Sequence, residues 1–221
     1  IYTGAYILRD ITRVNTVCME EDCYSDGKKV RITKKFKTGN NVRIKGEDVK
    51  KKQKIFLSGR KVRSMDLAQL SSIGVKKVKV FKKIRVGIFS SGDELCEFPK
   101  KKSKYEIYDA NKLVLFSLFT KIGCEVIDLG IIKDVYSETK KLISKKIESL
   151  DIIVTSGGIS MSKTDMIGKF FEENAVIEFW RLSIKPGRPF AFGKIKNTPF
   201  IGLPGNPVAA IITFFMLVID Y

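Results

Sequence analysis

Short apolar runs that alternate with helical segments dominate the sequence from about residue 66 onward. Three of these runs are residues 84–89 (IRVGIF), 125–129 (EVIDL) and 152–155 (IIVT), and a helical pattern follows each one. A fourth run, residues 199–203 (PFIGL), comes shortly before Pro207. Strands that alternate with helices form βαβ units, in which a crossover helix joins parallel neighbours. The sequence therefore predicts an α/β domain with three layers and a doubly wound, mostly parallel sheet.

Capping residues indicate where the helices of this domain begin. Asp109 precedes a helix predicted over residues 110–122, and Ser137 is expected to cap the next helix. Asn206 followed by Pro207 is typical of a helix start, because Asn caps well and Pro fits the first helical position. Before residue 66 the sequence is strand-like and broken by glycine, and residues 30–36 alternate as a half-buried strand does.

Composition excludes several classes of function. There is no histidine, which excludes Ser-His-Asp and Cys-His nucleophilic sites and histidine-ligated zinc. Acid–base and metal chemistry must then rest on carboxylates and lysines, and such oxygen ligands suit magnesium. The four cysteines form no CxxC pair and no zinc spacing, which favours a reducing, cytoplasmic location.

The net charge of +17 raises the question of nucleic-acid binding. The excess is mostly lysine and is spread along the chain, and no helix-turn-helix, RNP or KH signature is present. We therefore expect no nucleic-acid partner and only local basic pockets for small anions. We also expect no membrane segment, because the longest apolar run, residues 208–219, is about half of the roughly 20 residues that a span needs.

Polar residues and glycines follow each predicted strand. Ligands of an open α/β sheet bind beyond the carboxyl ends of its strands, so these residues are candidates for one site. Asp93 and Glu94, Asp134, and Asp165 would place four carboxylates at that edge, and they would repel one another unless a cation lay among them. Lys185 adds positive charge on the stiff turn KPGRP. These features fit an ion-bridged phosphate or oxyanion site.

Simpler structural explanations remain open for part of this set. The segment Ser156-Gly157-Gly158 is equally typical of a tight turn, although with a helix to follow it can also present backbone N–H groups to a phosphate. Asp109 and Asn206 are explained as helix caps without any ligand.

Eight segments together resemble one known family. They are TGAY, NVRIKGED, FSSGDEL, IYDAN, LGIIKD, TSGGISMSKTD, IKPGRPFAFG and GLPGNP, in this order from Ile1 to Pro207. The sequence is similar to the molybdopterin molybdenumtransferase family, which includes MoeA and the E domain of gephyrin. The resemblance implies the end of a β-rich arm over residues 1–37, the returning part of a linker domain over 38–65 and the molybdopterin-binding α/β domain over 66–221. It implies a fragment that lacks the family's N-terminal region and C-terminal β domain.

The resemblance also implies an activity and a site. Molybdenum from molybdate enters adenylylated molybdopterin with release of AMP, in a homodimer that receives its substrate from an adenylyltransferase. Glu94, Asp134 and Asp165 would be catalytic and hold Mg²⁺, and Lys185 would bind an anionic group. The implied substrate-binding residues are Thr3, Asp48, Asp93, Asp109, Ser156, Gly157, Gly158, Arg181, Arg188, Pro204, Gly205, Asn206 and Pro207.

The sequence departs from the family's pattern at several positions. Arg181 and Arg188 stand where the family usually has lysine, and a guanidinium fork binds oxyanions differently from an ammonium group. Residues 6–15 lack the proline and glycine that the family has after TGA, which weakens the assignment of Thr3.

Two alternative functions are compatible with the same fold. A molybdopterin adenylyltransferase shares the SGG and GLPGNP segments but lacks the linker segment NVRIKGED, and it would consume ATP. A scaffold role, as in gephyrin, would not need the acidic residues that this chain keeps.

Overall fold

The computed structural model describes residues 2–7, 14–159 and 166–220, and these form two compact units. The first unit spans residues 1–78 and the second spans residues 79–221. The division of the N-terminal part into residues 1–37 and 38–65 stays a prediction. The helix at Ser64–Ser72 belongs to the first unit, although the boundary predicted at residue 66 assigns most of it to the α/β domain.

The first unit contains a 3-10 turn at Glu20–Asp22, a short hairpin and one α-helix in its described part. Strands β1 (Cys23–Ser25) and β2 (Val30–Ile32) pair antiparallel, and helix α1 covers Ser64–Ser72. The prediction of a half-buried strand over residues 30–36 is wrong, because β2 ends at Ile32 and all of its residues are exposed. A strand with one short partner has no apolar layer to pack against.

The second unit is built on a six-stranded sheet with the strand order β6-β3-β7-β10-β9-β8. Its strands are β3 (Arg85–Ser91), β4 (Leu95–Cys96), β5 (Ile107–Tyr108), β6 (Glu125–Ile132), β7 (Ile152–Ser156), β8 (Ala175–Trp180), β9 (Ala191–Ile195) and β10 (Thr198–Leu203). The four strands from β6 to β10 in the sheet are parallel, whereas β9 and β8 continue the sheet antiparallel. Strands β4 and β5 form a separate parallel pair.

Helices cover both faces of this sheet. They are α2 (Ala110–Lys121), α3 (Tyr136–Lys146), α4 (Met166–Asn174) and α5 (Pro207–Thr213), which continues as a π-helical turn at Phe214–Val218. Successive strand residues point to opposite faces, so Phe89 of β3 packs with Ile143 of α3, whereas Ile88 packs with Leu115 of α2. Each fully buried side chain of this kind contributes about 1.5–3 kcal/mol. The predicted three-layer α/β architecture is confirmed.

The helix starts agree with the sequence at two of three predicted caps. Asp109 accepts a hydrogen bond from the backbone N–H of Lys112, and Asn206 accepts one from Ala209. The prediction that Ser137 caps α3 is wrong. The cap position is Val135, two residues earlier, because Tyr136 begins the helix and packs at the edge of the core against Phe170.

Candidate active site

A cleft of about 430 Å³ opens at the carboxyl ends of the parallel strands in the second unit. Its walls come from the turns after β3 and β7, the first turn of α2 and the segment before α5. Eight of the residues predicted from the sequence line it: Glu94, Asp109, Asp134, Ser156, Gly157, Gly158, Gly205 and Pro207. The fold therefore brings together segments that lie more than a hundred residues apart in the sequence.

Two consecutive glycines close the floor of this cleft. Gly157 and Gly158 have φ angles of +85° and +66°, which side chains rarely adopt. A Cβ atom on Gly157 would lie 2.6 Å from the carbonyl oxygen of Ser91, and the Gly157 N–H donates to Leu203 at 3.1 Å. The turn therefore packs directly against the end of β3 and is hydrogen-bonded to the end of β10.

Asn111 links three walls of the cleft, which are the first turn of α2, the turn after β7 and the segment before α5. Its side-chain amide donates to the Ser156 hydroxyl at 2.6 Å and to the Gly205 carbonyl at 2.7 Å. The Ser156 hydroxyl in turn donates to the carbonyl of Pro204 at 3.5 Å. Sequence reasoning did not assign Asn111 to the site. The available signal was its position in the IYDAN segment, two residues after a helix cap.

Two buried oxygen atoms at the start of α2 have no hydrogen-bond partner in the described part of the chain. They are Oδ1 of Asn111 and Oδ2 of Asp109, whose other oxygen caps the helix by accepting from Lys112 N–H at 3.1 Å. Buried acceptors of this kind are normally satisfied. Their position in the wall of the cleft makes a hydrogen-bond donor or a cation the expected partner. The cap role of Asp109 is confirmed, and a ligand role remains a prediction.

The acidic residues divide into fixed and exposed members. Asp134 accepts a hydrogen bond from the Ile167 N–H at 3.2 Å, at the start of α4, and its own N–H donates to Asp93 at 3.3 Å. Glu94 and Asp93 are exposed, and Glu94 lines the cleft. Asp165 lies outside the described residues. Within the described ranges no group of three or more acidic residues and cysteines is placed to hold a metal ion.

The available oxygen donors nevertheless have the chemistry that Mg²⁺ requires. Glu94 and Asp134 line the same cleft, and Mg²⁺ is usually bound by one or two carboxylates together with water and substrate phosphates. The unpartnered Asp109 oxygen lies in the same wall. These carboxylate oxygens are therefore the type of ligand that Mg²⁺ takes. The assignment of Asp165 as a further ligand stays a prediction.

The predicted cationic residues lie outside the lining of the cleft. Lys185, Arg181 and Arg188 are all exposed on the segment between β8 and β9, where Leu182 N–H donates to the Arg188 carbonyl at 2.9 Å. Only Pro189 of this segment lines the cleft. Thr3 and Asp48 are exposed residues of the first unit, and Asp48 forms an ion pair with Arg43.

A buried lysine ties the first turn of α2 to two other elements. Lys112 Nζ lies 2.7 Å from Glu97, which follows β4, and 3.1 Å from Asp128 on β6. Burial opposes the charged form of Lys112, but its hydrogen bonds to the two carboxylates outweigh burial and raise its pKa. The same hydrogen bond from Lys112 is the main reason that the pKa of Glu97 is lowered.

Comparison with known proteins agrees with this geometry. A family described as "Probable molybdopterin binding domain" matches residues 87–221, and "MoeA N-terminal region (domain I and II)" matches residues 1–74. The chain belongs to the molybdopterin molybdenumtransferase family. The segments SGDEL, IYDAN, TSGGI and GLPGNP, which carried the resemblance in the sequence, all contribute residues to the one cleft.

Individual relatives of the family match nearly the whole chain. A molybdopterin molybdenumtransferase from Haemophilus influenzae is 38% identical over 99% of this chain and 54% of its own length. One from a Nostoc species is 31% identical over 99% of this chain and 50% of its own length. The solved structure of the molybdopterin biosynthesis protein MoeA from Pyrococcus horikoshii has a TM-score of 0.75 at 31% identity, over 92% of this chain and 51% of that one. The chain thus spans about half the length of these relatives.

None of the helices in the described ranges is both long and apolar enough to cross a membrane.

Proposed function

We propose that this chain carries the cleft in which molybdenum is inserted into adenylylated molybdopterin during molybdenum cofactor biosynthesis. Molybdate supplies the metal, the phosphoanhydride bond is cleaved, and AMP is released. The observation that carries the proposal is the convergence of Glu94, Asp134 and the Gly157-Gly158 turn on one cleft at the strand ends. The names of the relatives support the reaction, since both curated relatives described above are molybdopterin molybdenumtransferases.

Phosphoanhydride cleavage needs positioning and charge stabilisation more than covalent chemistry. In the proposal, backbone N–H groups that follow Gly157 in this turn bind phosphate oxygens, whereas the Gly157 N–H already donates to Leu203. The unpartnered oxygens of Asn111 and Asp109 accept hydrogen bonds from donors on the ligand. Asp134, which is held against the start of α4, orients the neighbouring polar groups.

A magnesium ion held by Glu94, Asp134 and Asp165 would neutralise charge on the anhydride. Lys185 is proposed to bind an anionic group from the neighbouring turn. Thr3 and Asp48 are proposed to contribute from the N-terminal regions, across the subunit boundary of a cytoplasmic homodimer. An adenylyltransferase that acts one step earlier would supply the substrate.

The proposal is tested by AMP release from adenylylated molybdopterin and molybdate, titrated with magnesium in the full-length protein. We expect Asp134→Asn and Asp165→Asn to lose about a hundredfold in activity, the equivalent of roughly 2–3 kcal/mol for one charge-assisted contact. High magnesium should partly restore both variants. Lys185→Ala should lose a similar factor without any rescue, because it acts on an anion directly.

Glu138→Gln is the matched control, since Glu138 is exposed on α3 and does not line the cleft. It should keep wild-type activity at every magnesium concentration. Identical magnesium responses of the three site variants, or full activity of the Asn variants at low magnesium, would contradict the proposed division of roles.

A further inference from the structure

The cleft carries acidic groups where the proposed ligand is itself anionic. Its described lining includes the carboxylates of Glu94, Asp109 and Asp134 and includes no lysine or arginine. The chain as a whole nevertheless has a net charge of +17. Among the described residues, the lysines and arginines that could draw an anion to this site therefore lie outside the lining of the cleft.

A ten-residue loop with clustered lysines begins and ends at the wall of the cleft. It leaves after β4 and returns at β5, and both Leu95 before it and Ile107 after it line the cleft. Backbone hydrogen bonds join the two ends of the loop. The Ile107 N–H donates to the Glu94 carbonyl at 2.8 Å, and the Asp109 N–H donates to the Cys96 carbonyl at 3.1 Å. The loop carries four exposed lysines, of which Lys100 pairs with Glu97. We call the other three the lysine rim: Lys101, Lys102 and Lys104.

Both acidic residues of the loop are engaged in holding its shape. Glu97 pairs with the buried Lys112 at 2.7 Å and with Lys100 at 3.4 Å. Glu106 accepts a hydrogen bond from the Ser103 N–H at 2.6 Å, which is the main cause of its lowered pKa, while Lys133 and Lys102 contribute at longer range. The loop therefore has a fixed base on the wall of the cleft.

The positive charge of the lysine rim is not neutralised by ion pairs within the described ranges. Lys102 donates to the carbonyl oxygen of Glu106 at 3.4 Å, and Lys104 lies 5.8 Å from the ring of Tyr105. Over the described ranges, none of the three rim lysines has a carboxylate within ion-pair distance. Three ammonium groups without salt bridges, on one short loop, produce a local positive potential at the edge of the cleft.

We propose that Lys101, Lys102 and Lys104 form an entry site that captures the phosphate groups of a phosphoanhydride ligand before it enters the acidic cleft. This inference rests on the proposed function for the identity of the ligand. A local field of this kind raises the association rate of an anion by about 10-fold or more and is weakened by salt. The dissociation rate depends instead on contacts inside the cleft, which the rim does not make.

The experiment measures association of a fluorescent N-methylanthraniloyl derivative of ADP by stopped flow, at increasing ionic strength. The probe carries a phosphoanhydride and about three negative charges. The test variant is the triple Lys101→Gln, Lys102→Gln, Lys104→Gln. The control triple replaces Lys121, Lys145 and Lys146 with Gln, because these lie in the last turns of α2 and α3, away from the helix starts that face the cleft. Both variants lose the same net charge.

The rim triple should lower the association rate constant about tenfold at low salt and flatten its dependence on ionic strength. The control triple should change the rate less than twofold, and neither should change the dissociation rate much. Equal losses in both triples would reduce the effect to overall charge and overturn the proposal. Wild-type association that is absent or independent of salt would overturn it as well.

Failure of the entry site and failure of the proposed function are distinguishable. If the rim triple binds the probe at the wild-type rate while the protein still releases AMP, only the entry site is wrong. If association depends on the rim but no AMP is released with molybdate, the anion entry site stands and the reaction assigned to the cleft is wrong.

Discussion

At the residue scale, the cleft depends on how closely the turn after β7 approaches the end of β3. Gly157 combines a φ of +85° with a direct contact to the Ser91 carbonyl, so two separate effects forbid a side chain there. Gly130 has almost the same φ, +86°, but a Cβ atom on it would meet nothing within 4 Å. Comparing Gly157 with Gly130 therefore distinguishes the cost of a left-handed backbone from the cost of a steric collision.

We expect Gly130→Ala to lower the free energy of unfolding by about 1 kcal/mol, which is the cost of the left-handed backbone. Gly157→Ala should cost about 1–3 kcal/mol more, because the end of β3 must move. Urea denaturation of both variants checks this difference. Equal losses in the two variants would mean that the contact with Ser91 has no energetic weight.

The ion pairs of Lys112 give the protein a defined dependence on pH. The pKa of Glu97 is lowered in the folded state, so its contribution is complete above its unfolded pKa of about 4.3 and is lost as pH falls through the lower folded value. The pKa of Lys112 is raised, so its contribution is complete below its unfolded pKa of about 10.4 and is lost as pH rises through the higher folded value. The network is therefore fully stabilising between these limits.

Glu97→Gln should lower the free energy of unfolding at pH 7 by about 1 kcal/mol or less, because the Glu97 side chain is 41% exposed and water screens the pair. The difference from wild type should shrink as the pH falls below about 4. Urea titrations at pH 7 and pH 3 measure it, with Glu138→Gln as the control that changes little at either pH. A difference that grows toward pH 3 would contradict the assigned ion pair.

At the element scale, the four parallel strands follow from the sequence, whereas the antiparallel half of the sheet does not. Strand β8 begins at Ala175 directly after the last residue of α4, so no glycine or proline marks the change. Strand β9 contains Gly193, which argues against a strand by propensity. In the structure this glycine is needed, because a Cβ atom on it would collide with the carbonyl oxygen of Val176 on β8. Only tertiary pairing reveals such a requirement.

The site was predictable to the extent that it lies at strand ends. Each of Glu94, Asp134 and Ser156 follows a strand that the apolar runs indicated, and the carboxyl ends of parallel strands share one edge. The role of Asn111 depends on side-chain geometry between α2, β7 and the segment before α5, which no local pattern contains. At the start of helix α2, the cap role of Asp109 overlaps with its proposed ligand role.

Substitutions of Asp109 separate its role as a helix cap from its role in the site. Asp109→Ser keeps a capping oxygen, so we expect stability close to wild type, whereas Asp109→Ala should lose about 1 kcal/mol. Both variants should lose AMP release if the second carboxylate oxygen contacts the ligand. Thermal unfolding and the AMP assay, run on the same samples, give the two readouts. Wild-type activity of Asp109→Ser would leave the residue with a capping role alone.

At the scale of the whole molecule, an acidic cleft lies in a strongly basic chain. Eight sequence-predicted residues line that cleft, although they come from five separate segments of the chain. The family match covers both units, while the cleft belongs to the second unit alone. The central claim is that this cleft is where adenylylated molybdopterin reacts.

The most direct test measures AMP release from adenylylated molybdopterin by the full-length protein, with and without molybdate, for wild type, Glu94→Gln and the control Glu138→Gln. We predict that wild type and the control release AMP only when molybdate is present. Glu94→Gln should be slower by about a hundredfold, because a charged contact of roughly 2–3 kcal/mol is lost. Unchanged activity of Glu94→Gln, or consumption of ATP with molybdopterin in place of AMP release, would contradict the account.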